Sequence, residues 1–405
     1  MAQTGQVSLH AIQAASGLNL GRQRNFITGI QGVASGGQAS VNMACDRRYH
    51  RLLFQVTAVN FTGGTALTAT ALSGSGTALK VDVTVAANHT VATIVQHTGN
   101  AGSGFTTGDT ITFTDATGAG FVGTVTASAG AVTAIAITTN GTPTAIDPSI
   151  ALGTIKLLVN GVNVADLTAA QEILRAKFNI VPGTTNGLAL GQFPIYFTEP
   201  WRNWTRWPEI TSWDMAGQTS FQVQIQLASN LVSPGITGQM EFDYQRNTRQ
   251  GAVVSNLYQQ LIASKQAPDP ILSPISRHAF TFQLNAGLNL IGQGQIPFNY
   301  PILRMYFIGS NPGNITQLEI DQDSTKVEEG YIITQNNGAQ LGQTTEMLSE
   351  YGFAVTVFDA AYVADINNRI ENALKCQSNL QLKIYSAVSQ SLTILQEKLP
   401  GSYSS

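Results

Sequence analysis

Phe221-Gln222-Val223-Gln224-Ile225-Gln226-Leu227 alternates apolar and polar residues at every position. A period of two puts the apolar side chains on one face and the carboxamides on the other, which predicts a β-strand with one dry and one wet face. The pattern recurs, less strictly, at Leu52–Val56, Ile155–Val159, Met240–Tyr244, Met305–Ile308, Phe353–Phe358 and Leu380–Tyr385. Helical periodicity is confined to three stretches. Thr168–Phe178 opens with Thr168 and Gln171 at capping-box spacing. Ala252–Ser264 and Asp359–Leu374 each carry an apolar stripe, the latter through Val363, Ile366, Ile370 and Leu374. The fold class that follows is all-β with a few short helices.

Gln266-Ala-Pro-Asp-Pro-Ile-Leu-Ser-Pro274 holds three prolines in seven residues and reads as a stiff linker. The chain on its two sides looks alike. Tyr49-His-Arg-Leu-Leu-Phe matches Tyr300-Pro-Ile-Leu-Arg-Met, and Ile155-Lys-Leu-Leu-Val matches Ile315-Thr-Gln-Leu-Glu. Phe193-Pro-Ile-Tyr-Phe matches Phe353-Ala-Val-Thr-Val, Ser220 matches Asn379, and Met240 matches Leu392. Ile155 to Phe193 and Ile315 to Phe353 are both steps of 38 residues. About eight short strands on each side suit two tandem eight-stranded jelly rolls. An immunoglobulin-like sandwich is the alternative; it is shorter and seldom carries a helix between strands.

The first copy is interrupted. Thr62–Pro148 is a run of Thr, Ala, Gly and Val whose charges are Lys80, Asp82, Asp109, Asp115 and Asp147. It reads as a small β module inserted in an exposed loop. The expected organisation is an N-terminal arm at 1–25, a first jelly roll at 26–250 interrupted by 62–148, a helix and Pro-rich linker at 251–277, and a second jelly roll at 278–405.

Only 11% of residues are charged, against about 25% in an average soluble domain. Identical subunits packed side by side bring like charges together, and neutral amides and hydroxyls avoid that repulsion; the composition suits self-assembly. The alternative is a glycine-rich extracellular β protein. Net charge is −3, so no global basic field holds nucleic acid. Cys45 and Cys376 are far apart with no CxxC, and read as free thiols in a reducing cytoplasm, a single bridge being the alternative. The N-terminal sequence lacks the pattern of a signal peptide, and no apolar stretch is long enough for a transmembrane helix.

Candidate chemistry is sparse. Gly118-Ala-Gly-Phe-Val-Gly123 fits GxGxxG but runs into Thr124-Val-Thr, a strand former, so it reads as a turn. Asp321-Gln-Asp323 could begin a calcium loop, but Lys326 and Ile332 stand where an EF-hand needs Gly and Glu; an irregular Ca²⁺ site between subunits or a solvated acidic loop are the readings left. His10, His50, His89, His97 and His278 form no metal-ligand pattern, and no nucleophile elbow occurs. The expectation is no enzyme, no catalytic residue and no cofactor. Trp201, Arg202, Trp204, Arg206 and Trp207 concentrate aromatic and basic residues and are read as a subunit interface, with base or sugar stacking as the alternative. Arg22 and Arg24 lie in the most basic part of the chain, which suits an anionic surface such as lipid headgroups, or an arm ordered by a neighbouring subunit.

The two sandwiches, a helix before a late strand in each and the short arm resemble the double jelly-roll major capsid proteins of membrane-containing icosahedral bacteriophages, the corticoviruses and tectiviruses. Ile155–Ile180 and Phe193–Tyr244, with Phe193-Pro-Ile-Tyr-Phe-Thr-Glu-Pro-Trp201 and Thr211-Ser-Trp-Asp-Met215, are most similar to the corticovirus type. The resemblance spans Phe26 to Leu395, and the insertion departs from it. It implies trimers with a pseudo-hexagonal footprint, tiled into a virion shell that is assembled in the host cytoplasm. Partners would be further copies, a vertex (penton) protein and an internal membrane facing Arg22 and Arg24, without specific nucleic-acid binding. A phage spike or adhesin that binds a glycan or receptor is the competing function, and a carbohydrate-active enzyme the third.

Overall fold

The computed structural model describes residues 20–178, 189–197, 213–215, 218–245, 275–292, 294–298, 300–311, 314–330, 353–357 and 374–398. The chain opens with β1 (Leu20–Phe26), β2 (Gln38–Met43) and β3 (Arg47–Ala58). The inserted segment follows as β4 (Gly64–Ala71), β5 (Thr77–Val85), β6 (Val91–Ser103), β7 (Thr110–Phe113), β8 (Ala119–Ser128) and β9 (Ala131–Thr142). Then come β10 (Thr144–Ala145), α1 (Pro148–Ala151), β11 (Leu152–Val159), β12 (Val162–Thr168), α2 (Ala169–Phe178), β13 (Gln192–Tyr196), β14 (Trp213–Asp214), β15 (Phe221–Leu227) and β16 (Gly235–Gln245). The remainder is β17 (Ser276–Leu284), β18 (Gly287–Ile291), β19 (Ile302–Gly309), β20 (Ile315–Gln322), β21 (Thr325–Gly330), β22 (Phe353–Val357), β23 (Leu380–Ser386) and β24 (Gln390–Lys398).

The pairing makes two jelly rolls. In the first, β1-β16-β3-β13 faces β2-β15-β11-β12; in the second, β17-β24-β19-β22 faces β18-β23-β20-β21. Each strand of one roll has a counterpart with the same neighbours in the other. Even the irregularities repeat. One bulge falls at His50 between β3 and β16 and at Leu303 between β19 and β24; another falls at Val164 in β12 and at Val327 in β21. Bulges re-aim a strand at a fixed place, so a shared position ties the two rolls together more closely than topology alone.

The ladders also fix the register between the copies. Ser220 does correspond to Asn379, but Tyr49 corresponds to Ile302, Ile155 to Leu318, Phe193 to Ala354 and Ile236 to Leu392. The sequence comparison therefore found the right strands with a slip of one to four residues at four of five places. Period-two patterns permit such sliding, because nothing in an alternating run marks its origin.

A matching polar clamp holds one end of each roll. Asn160, in the hairpin between β11 and β12, has φ 51°; Asp323, in the equivalent hairpin, has φ 48°. Both types tolerate this left-handed conformation. Asn160 Oδ1 accepts from the amides of Thr219 (2.7 Å) and Ser220 (3.3 Å). Asp323 accepts from those of Gln377 (2.9 Å), Ser378 (2.7 Å) and Asn379 (2.9 Å). These amides hold the Asp323 carboxyl far below the usual carboxylate range. Asp321, the other residue considered for a calcium loop, is nearly buried with its Oδ2 2.8 Å from Lys383 Nζ.

Three apolar cores result. The first roll buries Tyr49, Phe54, Phe193, Phe197, Trp213 and Phe221 among its aliphatics, with Phe54 stacked on Phe193 at 5.2 Å. Burying each such side chain stabilises by about 1.5–3 kcal/mol. The second roll centres on Met305, Phe307, Ile320, Leu382 and Ile394. The inserted module has its own core of Phe61, Leu79, Val81, Ile111, Phe113, Phe121 and Val125.

Several boundaries differ from expectation. Strand β1 begins at Leu20, inside the stretch read as an arm, because residues 20–26 pair along β16. The second roll starts at Ser276, two residues early. The module's core reaches back to Val59 and Phe61, and the chain is already paired with β3 again at Thr144, so 62–148 is displaced at both ends. Gly118–Gly123 is not a turn; all but Gly118 lie within β8, and a Cβ on Gly118 would lie 2.0 Å from the Phe61 ring. His97 is 2.8 Å from Asp82, and among the described residues no group of three or more metal-ligating side chains comes together. Leu374, placed at the end of a helix, instead bridges Ile302 as extended backbone. Both cysteines are free and partly buried. Ala252–Ser264 and the rest of Asp359–Leu374 lie outside the described residues. Among the described residues no helix is long and apolar enough to cross a membrane.

Candidate assembly site at the junction of the rolls

The two rolls are joined by backbone. Near Ala165 and Asp166, β12 runs parallel to β17 with Ala165 opposite Arg277 and Asp166 opposite His278, so one sheet of each roll joins into one of eight strands. Helix α2 follows β12 directly and lies over this seam. Its start is a capping box: the Thr168 amide donates to Gln171 Oε1 (2.9 Å) and the Gln171 amide to Thr168 Oγ1 (3.2 Å).

Helix α2 delivers Glu172 and Arg175 onto Arg277, Arg304 and Glu397 of the second roll, and all five are at most 3% exposed. Arg175 reaches Glu172 (3.1 Å) and Glu397 (3.2 Å). Arg277 reaches Glu172 (3.5 Å) and Glu397 (3.7 Å), and Arg304 lies 3.4 Å from Glu397. Arg175 and Arg277 both donate to the Tyr196 carbonyl, at 3.3 and 2.7 Å. Arg277 also sits over the Trp213 ring, 5.8 Å from its centroid. Burial alone would depress the Arg175 guanidinium; the charges of Glu172 and Glu397 outweigh it and hold its pKa above the ordinary value. Beside the seam, burial and the Lys398 charge lower the His278 pKa, with Asp166 acting the other way. This site is built for fixing one roll against the other. Buried ions of this kind are weak evidence for stability but demand one geometry.

Among the described residues the equivalent place in the first roll is more exposed. Arg24, Glu241 and Arg51 occupy the positions of Arg277, Glu397 and Arg304, by ladder register. Glu241 lies 3.4 Å from Arg24 and 3.2 Å from Arg51, repeating the triad, but here the Arg24 side chain is 70% exposed. Arg22 stands opposite Asp243 in the same ladder. Trp201, Arg202, Trp204, Arg206 and Trp207 lie outside the described residues. The fourth tryptophan, Trp213, is in the core, 4.5 Å from Phe197 between ring centroids.

The outer faces of the two rolls also differ. On the first, Gln38, Asn42, Gln222 and Gln224 bond to one another in a carboxamide ladder. On the second, Lys383 bridges Glu319 and Asp321, with Lys326 on the far side of Glu319. In the inserted module Asp82, Asp109 and Asp115 all accept from backbone amides. Those bonds spend its carboxylates on loop geometry.

No protein-family model matches the chain, and a search of curated proteins finds no relative. Among solved structures, the major capsid protein P2 of bacteriophage PM2 matches with a TM-score of 0.53 at 12% identity, over 95% of this chain and 99% of that one. The PBCV-1 virus capsid (TM-score 0.47, 8% identity, 94% and 93% covered) and the STIV major capsid protein (0.44, 9%, 94% and 97%) are also similar. The chain has the fold of the double jelly-roll major capsid proteins.

Proposed function

We propose that the chain is a major capsid protein that forms pseudo-hexagonal trimers and tiles an icosahedral virion shell over an internal lipid membrane. The observation that carries this reading is the repeat: one molecule offers two rolls with the same strand neighbours and the same bulges, and the PM2 protein shares that fold over nearly its whole length. A duplicated sandwich gives three chains six similar corners, a shape that fills a plane. The sparse charge and the carboxamide ladder suit contact between identical copies. The protein acts by assembly in the virion, after production in the host cytoplasm, and has a vertex protein and the membrane as further partners. Mass measurement with negative-stain imaging tests this. Trimers that associate further are expected; a monodisperse monomer at high concentration would overturn it.

A further inference from the structure

We propose that chains join by repeating the junction already present inside each chain: β21 of one copy adds, in parallel, to the edge of β1 in the next. The inference rests on the trimer reading above and names its contact. Within the chain, β12 pairs with β17. Their counterparts in the other copy of the roll are β21 and β1, and each of these ends its sheet among the described strands. Unpaired edges invite strand addition.

The internal register carries over. Shared ladder positions and the shared bulge make Glu328 the counterpart of Ala165 and Glu329 that of Asp166. Arg24 is the counterpart of Arg277, and Asn25 that of His278. Glu328 of one copy therefore falls opposite Arg24 of the next, and Glu329 opposite Asn25. The sequences complement each other: β21 reads Thr-Lys-Val-Glu-Glu-Gly, and β1 carries Arg22 and Arg24.

Burial points the same way. Inside the chain the Arg277–Glu397–Arg304 triad is covered and 2% exposed. In its twin, Arg24–Glu241–Arg51, the Arg24 side chain is 70% exposed, and beside it Phe26 is 72% exposed. An ion triad and a phenyl ring on an open edge form a surface shaped for the cover that the second roll already has. The occupant is a second copy because the chain's own second roll carries the matching edge, β21, with Glu328 and Glu329 in register to meet Arg24.

The test uses the full chain with Cys45 and Cys376 replaced by serine and the pair Arg24→Cys with Glu328→Cys. Mild oxidation is expected to give covalent three-chain species on a non-reducing gel, and neither single cysteine variant should do so. Independently, E328R is expected to raise the concentration for half-assembly by roughly tenfold or more, because it sets like charges together across the contact; the double exchange R24E with E328R should recover part of it, Glu241 beside residue 24 limiting the recovery. A trimer that neither cross-links at this pair nor responds to the charge exchange overturns this contact and leaves the capsid reading standing. An unmodified chain that stays monomeric overturns both.

Discussion

Glu397→Gln is the most informative single change, since the molecule holds its own control. Glu397 is 1% exposed and lies within 3.7 Å of the guanidinium groups of Arg175, Arg277 and Arg304. Glutamine keeps the volume, so no cavity term enters. It leaves three buried cations with Glu172 as the remaining carboxylate in the described cluster. Breaking a buried ion group by removing one partner costs about 3–5 kcal/mol. At about 2–4 °C per kcal/mol for units of this size, that is a fall in Tm of roughly 6–20 °C. Glu241→Gln removes the corresponding carboxylate from the exposed triad. With Arg24 70% and Arg51 27% exposed, solvent screens the loss to about 1 kcal/mol or less, or at most about 4 °C. Calorimetric melts below the assembly concentration read both. Equal shifts for the two variants, or a shift under about 3 °C for E397Q, would refute the account of the junction.

Replacing Thr168 by Ala removes the cap of α2 and should cost about 0.5–2 kcal/mol, read as a lower denaturant midpoint. Asp323→Asn should be tolerated far better than Asp323→Ala, because Asn160 performs the same clamp in the first roll; thermal melts of the two variants decide this. Since the Asp323 carboxyl is held low in the folded state, its contribution is present above about pH 4, the unfolded value, and is lost as pH falls toward the folded one. Acid titration of D323N should therefore show a shallower decline than the wild type. Excising Phe61–Pro143 and joining Asn60 to Thr144 through two glycines should leave a folded, assembling chain, because Asn60 Nδ2 already donates to the Ala145 carbonyl at 3.2 Å; insoluble product would show that the module shares the roll's core.

The strands were legible because their burial alternates as their sequence does. Phe221–Leu227 and Leu380–Ser386 alternate at every position in the structure. The repeat was legible at the level of strands and not of residues: the equal steps of 38 residues arose from a slipped register, and the ladders place Leu318 and Ala354 where Ile315 and Phe353 were expected. The junction was missed. Its five charged residues are scattered from 172 to 397, and nothing local links them. A signal did exist. In so weakly charged a chain, Arg304 interrupts Ile302–Ile308 and Glu397 follows Ile394-Leu395, and charges inside apolar strands announce a buried partner. Arg24 stands out in the sequence by its charge, and the structure gives it a carboxylate neighbour that sequence distance conceals.

The parallel seam at Ala165–Arg277 and Asp166–His278 joins one sheet of each sandwich into a single eight-stranded sheet. Main-chain pairing and the buried ion cluster beside it oppose rotation of one roll against the other at that seam. In the shell proposed above, curvature would then come from the tilt between neighbouring molecules more than from flexing within each one.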